Sequence, residues 1–342
     1  MIPTELLCYY PTNVAIIDDS DSFLAMINDK LDPQQPRQLY NNPAEALQKI
    51  NNKKSNTELN SIIKNIPIED VDELSTTDYA INSLINVDLK QLHNEIYNKN
   101  RFDRISAILI DYQMAQMNGL EFCRKLSDKT ICKIMITSLS DFKLAVDAFN
   151  DGIIDKFIIK GTPDFFHEIN SCITKAQKDY FKNIYGLDGL LGFMLRGQLQ
   201  FATKSYYELI EQVANTVNAI EFYLLDKSGS ILFLDVEAKP TWLIIRTKSE
   251  LEELYAIAKD NNAPSRVLDA LNNKHEMPIL LCEEDYQLPV AKWQMFPVKP
   301  FITNQKSYYS IIIDQPFKLL DFTKITSFNQ YATNNPQAFL GR

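Results

Sequence analysis

The fold is decided by the run Ile105-Ser106-Ala107-Ile108-Leu109-Ile110-Asp111, which is mostly apolar and ends on an acid. An apolar run without polar alternation is typical of a strand that is buried on both faces of a parallel sheet. A short distance further on, Asn118-Gly119 opens an amphipathic segment, as a capping residue does where a helix begins. Open α/β sheets place their ligands at the carboxyl ends of such strands. Taken alone, Asp111 is equally well explained as a solvated acid that ends a strand.

The same alternation of strand and helix extends outward on both sides of this run. Polar capping residues, two of them followed by proline, mark the further helix starts at Ser20, Asn42-Pro43, Ser140-Asp141 and Thr162-Pro163. Strand and helix alternate five times, which predicts a doubly wound, five-stranded parallel sheet of the α/β class with right-handed crossovers. The further strands are predicted at 13–17, 37–40, 132–137 and 153–160.

Side chains that suit phosphate chemistry follow the first, third, fourth and fifth strands. They are, in that order, Asp18-Asp19, Asp111, Thr137 and Lys160. The carboxyl ends of strands in a doubly wound sheet meet in one crevice, so we expect these groups to lie together. Three crowded carboxylates predict a divalent cation, and hard oxygen ligands suit Mg²⁺. Lys160 supplies a positive charge and Thr137 a hydroxyl donor, both of which can bind an anion. Acids, metal ion, lysine and hydroxyl together predict a site for a phosphoryl group, with Asp111 as its acceptor.

These motifs resemble the receiver domain of two-component response regulators. The resemblance covers about residues 13–182, with its motifs separated along the chain and in the family's order. It implies a flavodoxin-like fold that is phosphorylated on Asp111. The stretches that carry it are Ile16-Ile17-Asp18-Asp19-Ser20, Asp111-Tyr112-Gln113-Met114, Met117-Asn118-Gly119, Ile136-Thr137-Ser138 and Phe157-Ile158-Ile159-Lys160.

The resemblance also implies how the predicted metal ion is held. Asp19 would be a direct ligand of Mg²⁺, and Asp18 would act largely through water. The phosphoacceptor Asp111 would bind the same ion. The backbone carbonyl of Gln113 would complete the metal shell. These roles are carried over from the family to the matching positions of this sequence.

On the phosphoryl side, the resemblance assigns Thr137 and Lys160 to the phosphoryl oxygens, and Thr137 with Phe157 to the switch. The sequence departs from the family at three of its positions. Phe157 lacks the phenol oxygen of a tyrosine switch. Ala115 and Gly161 stand where the family usually has proline, the second commonly after a cis peptide. A cis bond before a residue other than proline costs about 2.5–4 kcal/mol, so we expect a trans peptide at Gly161 that could place Lys160 differently.

A segment from about 52 to 104 interrupts the alternation where receivers have a short loop. It is rich in Asn, Asp, Glu and Lys, and the spacing of its apolar residues predicts two or three short helices. It is either a solvated elaboration or an added surface for a partner or for the second domain. The predicted organisation is an N-terminal extension (1–12), a receiver domain (13–182) that contains this insertion, and an α+β output domain (186–342).

The predicted output domain is largely antiparallel, and its clearest signal is a hairpin at Asp226-Lys227-Ser228-Gly229-Ser230. We find no helix-turn-helix, Gly-rich phosphate loop, catalytic dyad or metal motif in its sequence, so we expect that the protein is not an enzyme. The simplest interpretation of its aromatic residues is that they form the hydrophobic core. An antiparallel sheet with aromatic residues could also bind single-stranded RNA. A sensor or protein-docking module fits the order of elements about as well. Across the whole chain, the layout resembles the quorum-sensing response regulators of the Legionella type.

Composition narrows the class of protein further. A chain of 342 residues with 45% hydrophobic residues predicts two globular domains. A formal charge of −9 and a pI near 5.0 disfavour nucleic acid as the partner. Five scattered cysteines without CxxC spacing predict reduced thiols. No apolar run reaches membrane-spanning length, so we expect a cytoplasmic protein without a membrane partner.

Together these features predict a response regulator of a two-component phosphorelay. A sensor histidine kinase would phosphorylate Asp111 with Mg²⁺, and phosphorylation would favour a homodimer and change what the output domain binds. We expect the partner of the output domain to be a protein, with nucleic acid as the second choice. We expect the regulated process to be gene expression or signalling, including quorum sensing. Two alternatives stay open. The receiver could gate a ligand-sensing or enzymatic output domain, or it could be a degenerate receiver that acts as a phosphorylation-independent adaptor.

Overall fold

The computed structural model describes six stretches of the chain, which fall into two compact units. The described residues are 6–52, 63–67, 83–87, 89–184, 202–302 and 306–339. The first unit, here the parallel-sheet unit, comprises Tyr10–Ile63, Lys99–Asp188 and Phe328–Arg342. The second, here the antiparallel-sheet unit, comprises Met1–Tyr9, Lys64–Asn98 and Gly189–Ser327.

Strands and helices alternate through most of the first half of the chain. The predicted caps are present at three helix starts. The side chain of Ser20 accepts from the backbone N–H of Phe23, that of Asn42 from the backbone N–H of Glu45, and that of Asn118 from the backbone N–H of Glu121. In chain order the elements are β1 (Cys8–Tyr9), β2 (Asn13–Ile17), α1 (Asp21–Lys30), β3 (Arg37–Tyr40), α2 (Pro43–Asn52), β4 (Ile63–Pro67), β5 (Ser83–Val87), α3 (Leu89–Ile96), β6 (Ile105–Asp111), α4 (Gly119–Lys125), β7 (Cys132–Thr137), α5 (Phe142–Asn150), β8 (Lys156–Ile159) and α6 (Phe165–Ile184).

The parallel sheet has the strand order β3-β2-β6-β7-β8. This is the order of flavodoxin-like folds, in which the first strand lies between the second and the third. The register pairs Ile17 with Ile110 and Thr137 with Ile159. The predicted five-stranded doubly wound sheet is confirmed. Because β2 and β6 are neighbours at its centre, the residues that follow Ile17 and Ile110 emerge side by side.

Strand β6 is buried along its whole length and supplies side chains to two separate cores. Ala107 and Leu109 pack on one face of the sheet, in the core that also holds residues of α1 and α6. Ile108 and Ile110 pack on the other face, with residues of α2, α4 and α5. Burial on both faces explains why this run has no polar alternation.

The second half of the chain forms most of the antiparallel-sheet unit. In chain order its elements, and those that follow, are α7 (Lys204–Thr216), β9 (Glu221–Leu224), β10 (Ile231–Leu234), β11 (Pro240–Thr247), α8 (Lys248–Asp260), α9 (Ser265–Asn272), β12 (Glu276–Pro278), α10 (Glu283–Tyr286), β13 (Met295–Pro297), β14 (Lys299–Ile302), β15 (Lys306–Ile313) and α11 (Phe328–Asn334). The sheet order is β1-β9-β10-β11-β15-β14, with antiparallel neighbours throughout. The predicted hairpin connects β9 and β10, and Gly229 in its turn has a φ of 91°, which glycine adopts readily.

Segments from outside the second half complete the antiparallel-sheet unit. Strand β1 pairs with β9, and helix α3 contacts β9, where a ring nitrogen of His93 lies 3.2 Å from the carbonyl oxygen of Leu224. Both segments precede residue 186, where the predicted output domain begins. The boundaries expected from the sequence are continuous in the chain, whereas the compact units are not.

The insertion differs from its predicted helices. Among its described residues one α-helix is present, α3, and β4 and β5 form a two-stranded sheet of their own. β4 contains two isoleucines, and β5 contains an isoleucine and a valine. Such β-branched residues favour strands, although their spacing in the sequence is also compatible with short helices. The rest of the insertion lies outside the described residues.

The parallel-sheet unit is completed by the C-terminal segment. Helix α11 is followed by a 3₁₀ turn, Pro336–Phe339, which contacts β3. The ring of Phe328 lies 5.3 Å from that of Phe102, which precedes β6. The predicted range 186–342 includes this segment, and no local pattern in the sequence indicates on which sheet such a helix packs.

Candidate functional site

Three acids meet at the carboxyl edge of the parallel sheet. Asp18 and Asp19 follow β2, and Asp111 is the last residue of β6. Their carboxylate oxygens lie within 4.8 Å of one another. Asp18 and Asp111 are buried, with 2% and 6% of their surfaces exposed, whereas Asp19 is exposed. The cluster therefore has one face open to solvent.

Backbone donors fix two of these carboxylates. The N–H of Ser20 donates to Oδ1 of Asp18 at 2.9 Å. The N–H of Ala115 donates to Oδ2 of Asp19 at 2.8 Å, which connects the loop after β6 to the loop after β2. A proline at position 115 could not make this bond, since proline has no backbone N–H. The departure from the family at Ala115 thus gives this chain an additional donor to its exposed acid.

Lys160 is the cation of the site. Its Nζ lies 2.7 Å from Oδ1 of Asp111 and 3.3 Å from Oδ2 of Asp18. The backbone N–H of Lys160 also donates to the carbonyl of Thr137, which ties the ends of β7 and β8 together. The peptide before Gly161 is trans, as expected, and Gly161 has a φ of 83°. The loop nevertheless brings Lys160 into contact with Asp111.

The electrostatics of Asp111 combine opposing effects. Burial raises the pKa of its carboxyl group, the Lys160 ammonium lowers that pKa, and the negative charges of Asp18 and Asp19 raise it. The net pKa is higher than that of an ordinary aspartate. Three ionised carboxylates carry more negative charge than one lysine neutralises, so the composition of the site favours a further cation.

The donor set suits a divalent metal ion. Carboxylate oxygens are the ligands that Mg²⁺ prefers, and an open face leaves room for the water molecules that this ion retains. The three acids would hold such an ion. The resemblance implies the backbone carbonyl of Gln113 as a further ligand. The side-chain amide of Gln113 donates to Oδ2 of Asp141 at 2.8 Å. This bond joins the loops that follow β6 and β7.

The predicted switch residues lie in β7 and β8. Thr137 is buried, and its hydroxyl donates to the carbonyl of Ser138 at 3.3 Å. Within the described residues, no hydrogen bond joins this hydroxyl to Asp111. The ring of Phe157 is half-buried and lies edge-on to the rings of Phe142 and Phe149, at 5.5 and 6.3 Å.

Two residues contribute to the site in ways that sequence reasoning missed. A Cβ atom at Gly119 would lie 2.5 Å from the backbone oxygen of Asp111, so only glycine fits at that position. The ring of Phe23, in the first turn of α1, faces Nζ of Lys160 at 4.1 Å. The sequence does single out Gly119, as part of a helix start and of the stretch Met117-Asn118-Gly119, but neither feature indicated its close approach to Asp111. The sequence gave no signal for the role of Phe23 other than its position on the apolar face of α1.

One comparison with solved structures extends over the whole chain. The response regulator LqsR of Legionella pneumophila matches with a TM-score of 0.72 and 29% sequence identity, over 98% of this chain and 99% of that one. The chain has the fold of a response regulator. Its overall layout is similar to that of the Legionella response regulator, as the sequence resemblance indicated.

Other solved structures match about half of the chain. A CheY-like receiver domain protein from Methanospirillum hungatei has 16% identity and a TM-score of 0.33, over 51% of this chain and 98% of that one. An adenylate cyclase structure from Rhodopirellula baltica has 18% identity and a TM-score of 0.33, over 50% and 90%. We draw nothing further from scores this low. No protein-family model matches the chain, and no curated protein does.

No helix in the described stretches is both long enough and apolar enough to cross a membrane.

Proposed function

We propose that this chain is a phosphorylatable response regulator, and that Asp111 accepts the phosphoryl group. The observation that carries the proposal is the contact between Asp111 and Lys160, 2.7 Å, inside a cluster of three carboxylates. The acids would bind a cation, and the lysine would bind an anion. A phosphoryl group coordinated by Mg²⁺ satisfies both.

In the proposed reaction, a carboxylate oxygen of Asp111 attacks the phosphorus of a phosphohistidine on a sensor kinase. The new O–P bond forms as the P–N bond breaks, and the histidine leaves with its electron pair. Mg²⁺, held by Asp19, Asp111 and the Gln113 carbonyl with Asp18 acting largely through water, would neutralise charge on the transferring oxygens. Lys160 would release its contact with the carboxylate and bind a phosphoryl oxygen.

The proposed response begins at Thr137. Its hydroxyl would leave the carbonyl of Ser138 and donate to a phosphoryl oxygen, which would draw the end of β7 toward Asp111. Phe157, in the next strand, would then repack by apolar contact alone, since it has no phenol oxygen. Around it, Phe142 and Phe149 are exposed by 40% and 49%. This aromatic surface on α5 and β8 is where we place the change in partner or homodimer preference.

The further elements of the proposal concern organisation and partners. Residues 13–182 would act as the receiver and residues 186–342 as the output domain, with 1–12 as an extension. The kinase is a sensor histidine kinase, and the output partner is a protein rather than nucleic acid. The layout that this chain shares with the Legionella response regulator supports a regulator of the same general class. Quorum sensing, which the resemblance of the sequence implies, is one process that we propose for it.

The test is transfer of labelled phosphoryl groups from a phosphorylated histidine kinase or a small acyl phosphate. We expect label on the wild type with Mg²⁺, no label after chelation, and no label on Asp111→Asn. The matched control is Asp151→Asn, an exposed acid at the end of α5, which should label like the wild type. Equal labelling of Asp111→Asn would disprove the assignment. An unlabelled wild type would favour the phosphorylation-independent adaptor.

A further inference from the structure

The ammonium of Lys160 has a third neighbour besides its two carboxylates, the ring face of Phe23. Nζ lies 4.1 Å from the centre of this ring, well within the distance at which the negative face of an aromatic ring attracts a cation. The lysine side chain is one-third exposed and the ring is half-buried, so the contact is partly shielded from water. Neither the sequence motifs nor the proposed reaction assigns a role to Phe23.

The chain fixes the ring of Phe23 from two sides. Its backbone N–H donates to the hydroxyl of Ser20, so the ring leaves the first turn of α1 directly after Asp18-Asp19. The ring of Phe165, at the start of α6, lies 6.3 Å from it. The acids and the ring thus come from one loop–helix junction, and a change in that junction would move both.

Lys160 needs such a support more than a lysine followed by proline would. Gly161 has a φ of 83°, which glycine adopts readily and proline cannot, so no pyrrolidine ring restricts the backbone directly after the lysine. The position of the ammonium then depends more on its own contacts. Two of those contacts, to Asp111 and Asp18, are hydrogen-bonding contacts that the ammonium must exchange when it turns to a phosphoryl oxygen.

We propose that Phe23 is a positioning residue for Lys160, with its ring face holding the ammonium beside Asp111 while the ammonium passes from the carboxylate to the phosphoryl group. A cation–ring contact suits this task because it has no single bonding direction and occupies none of the three N–H donors. The inference rests on the proposed phosphorylation of Asp111. It adds that the rate of that step depends on the charge distribution of an aromatic ring outside the acid cluster.

The experiment uses the full chain with three changes at one position. Phe23→Leu keeps apolar bulk without a ring, Phe23→Tyr keeps the ring, and a fluorinated phenylalanine keeps the shape but weakens the negative ring face. The first readout is the NMR shift of the ε-methylene protons of Lys160, which a ring face at this distance moves upfield. It needs no phosphorylation. The second is the rate of Mg²⁺-dependent labelling.

We expect the upfield shift to be present in the wild type and Phe23→Tyr, and lost in Phe23→Leu. Labelling should slow about two- to fivefold in Phe23→Leu and by an intermediate factor in the fluorinated protein, with Phe23→Tyr close to the wild type. Labelling of Phe23→Leu at the wild-type rate would overturn this inference and leave the proposed function intact. An absent upfield shift in the wild type would overturn it as well. A wild type that takes no label would overturn the proposed function first, and this inference with it.

Discussion

The two edges of the parallel sheet differ in how their polar groups are arranged. At the carboxyl edge, three carboxylates crowd around one lysine, and one of them is open to solvent. At the amino edge, the side-chain amide of Asn13 donates to the carbonyl of Phe102 at 2.7 Å and to the hydroxyl of Tyr331 at 2.9 Å. That hydroxyl donates in turn to Asp103 at 2.8 Å. The ring of Phe328 closes over Phe102.

The difference shows where this unit gives up stability and where it gains it. Like charges at the carboxyl edge repel, and burial raises the free energy of their ionised forms. The amino edge contributes hydrogen bonds and aromatic contacts, in part from a segment at the far end of the chain, although Oδ1 of Asn13 has no hydrogen-bond partner within the described residues. Functional sites are commonly less stable than their surroundings, and the rest of the fold compensates. The predictions below test whether the two edges respond to substitution as this contrast requires.

The largest effect is expected for Gly119→Ala, which adds a Cβ atom 2.5 Å from the backbone oxygen of Asp111. The added methyl group must push away the peptide that holds the phosphoacceptor. We expect a loss of about 1–3 kcal/mol in the free energy of unfolding, and labelling slower by about tenfold or more. Urea unfolding and phosphotransfer kinetics measure the two effects.

Gly152→Ala is the matched control for that substitution. Gly152 ends α5 with a φ of 68°, and a Cβ atom there would have no neighbour within 4 Å. The strain of a left-handed alanine should cost about 1–2 kcal/mol of stability without affecting labelling. If both alanine variants lost labelling in proportion to stability, the close approach at Gly119 would have no specific role at the site.

The next effect concerns the amino edge, through Tyr331→Phe. The variant removes the hydroxyl that accepts from Asn13 and donates to Asp103, so each of these two groups loses one hydrogen bond in a partly buried network. We expect a loss of about 1–3 kcal/mol in the free energy of unfolding and an unchanged labelling rate. Tyr286→Phe, at a residue that is 53% exposed, should change neither. Slower labelling of Tyr331→Phe would contradict the claim that the amino edge affects stability without affecting phosphorylation.

A smaller effect of opposite sign is expected for Asp111→Asn. The pKa of Asp111 is raised, so the folded state holds this proton more tightly than the unfolded chain does. The stability that protonation provides is therefore lost as the pH rises through the folded pKa. Without divalent cations, the neutral asparagine variant should be more stable than the wild type at neutral pH. The gap should close as the pH falls below the folded pKa.

Urea unfolding in chelator across this pH range measures the gap. The matched control, Asp151→Asn, removes an exposed acid and should leave the free energy of unfolding at neutral pH within about 0.5 kcal/mol of the wild type. If Asp111→Asn were less stable than the wild type at neutral pH, the ion pair with Lys160 would stabilise the ionised Asp111 by more than burial and the repulsion from Asp18 and Asp19 destabilise it. The carboxyl edge would then not be the less stable edge.

The parallel sheet was predictable because each of its signals is local. An unbroken apolar run such as 105–110 has one common explanation, and a cap such as Asn118 fixes where the next helix begins. The antiparallel sheet was predicted only in part. Strands β1 and β14 were missed, since a two-residue strand and a lysine-proline edge strand carry no periodic pattern. The placement of α11 depends on distant packing, which no local pattern encodes.

The composition of the site was also predictable, since strand ends in a doubly wound sheet converge whatever the loops contain. The acids Asp18, Asp19 and Asp111 and the cation Lys160 do lie together. The details came from backbone geometry and side-chain direction. The donor at Ala115 and the ring of Phe23 depend on how two loops approach each other in space, which sequence spacing does not specify.

The central claim is that Asp111 carries the phosphoryl group, and chemical trapping tests it most directly. An aspartyl phosphate is an acyl phosphate, which borohydride reduces to homoserine at the modified position. After phosphotransfer with Mg²⁺, peptide mass spectrometry of the reduced protein should find homoserine at position 111, and an unchanged aspartate there when Mg²⁺ is chelated. Homoserine at another acid, or an unchanged Asp111 in a labelled protein, would contradict the account.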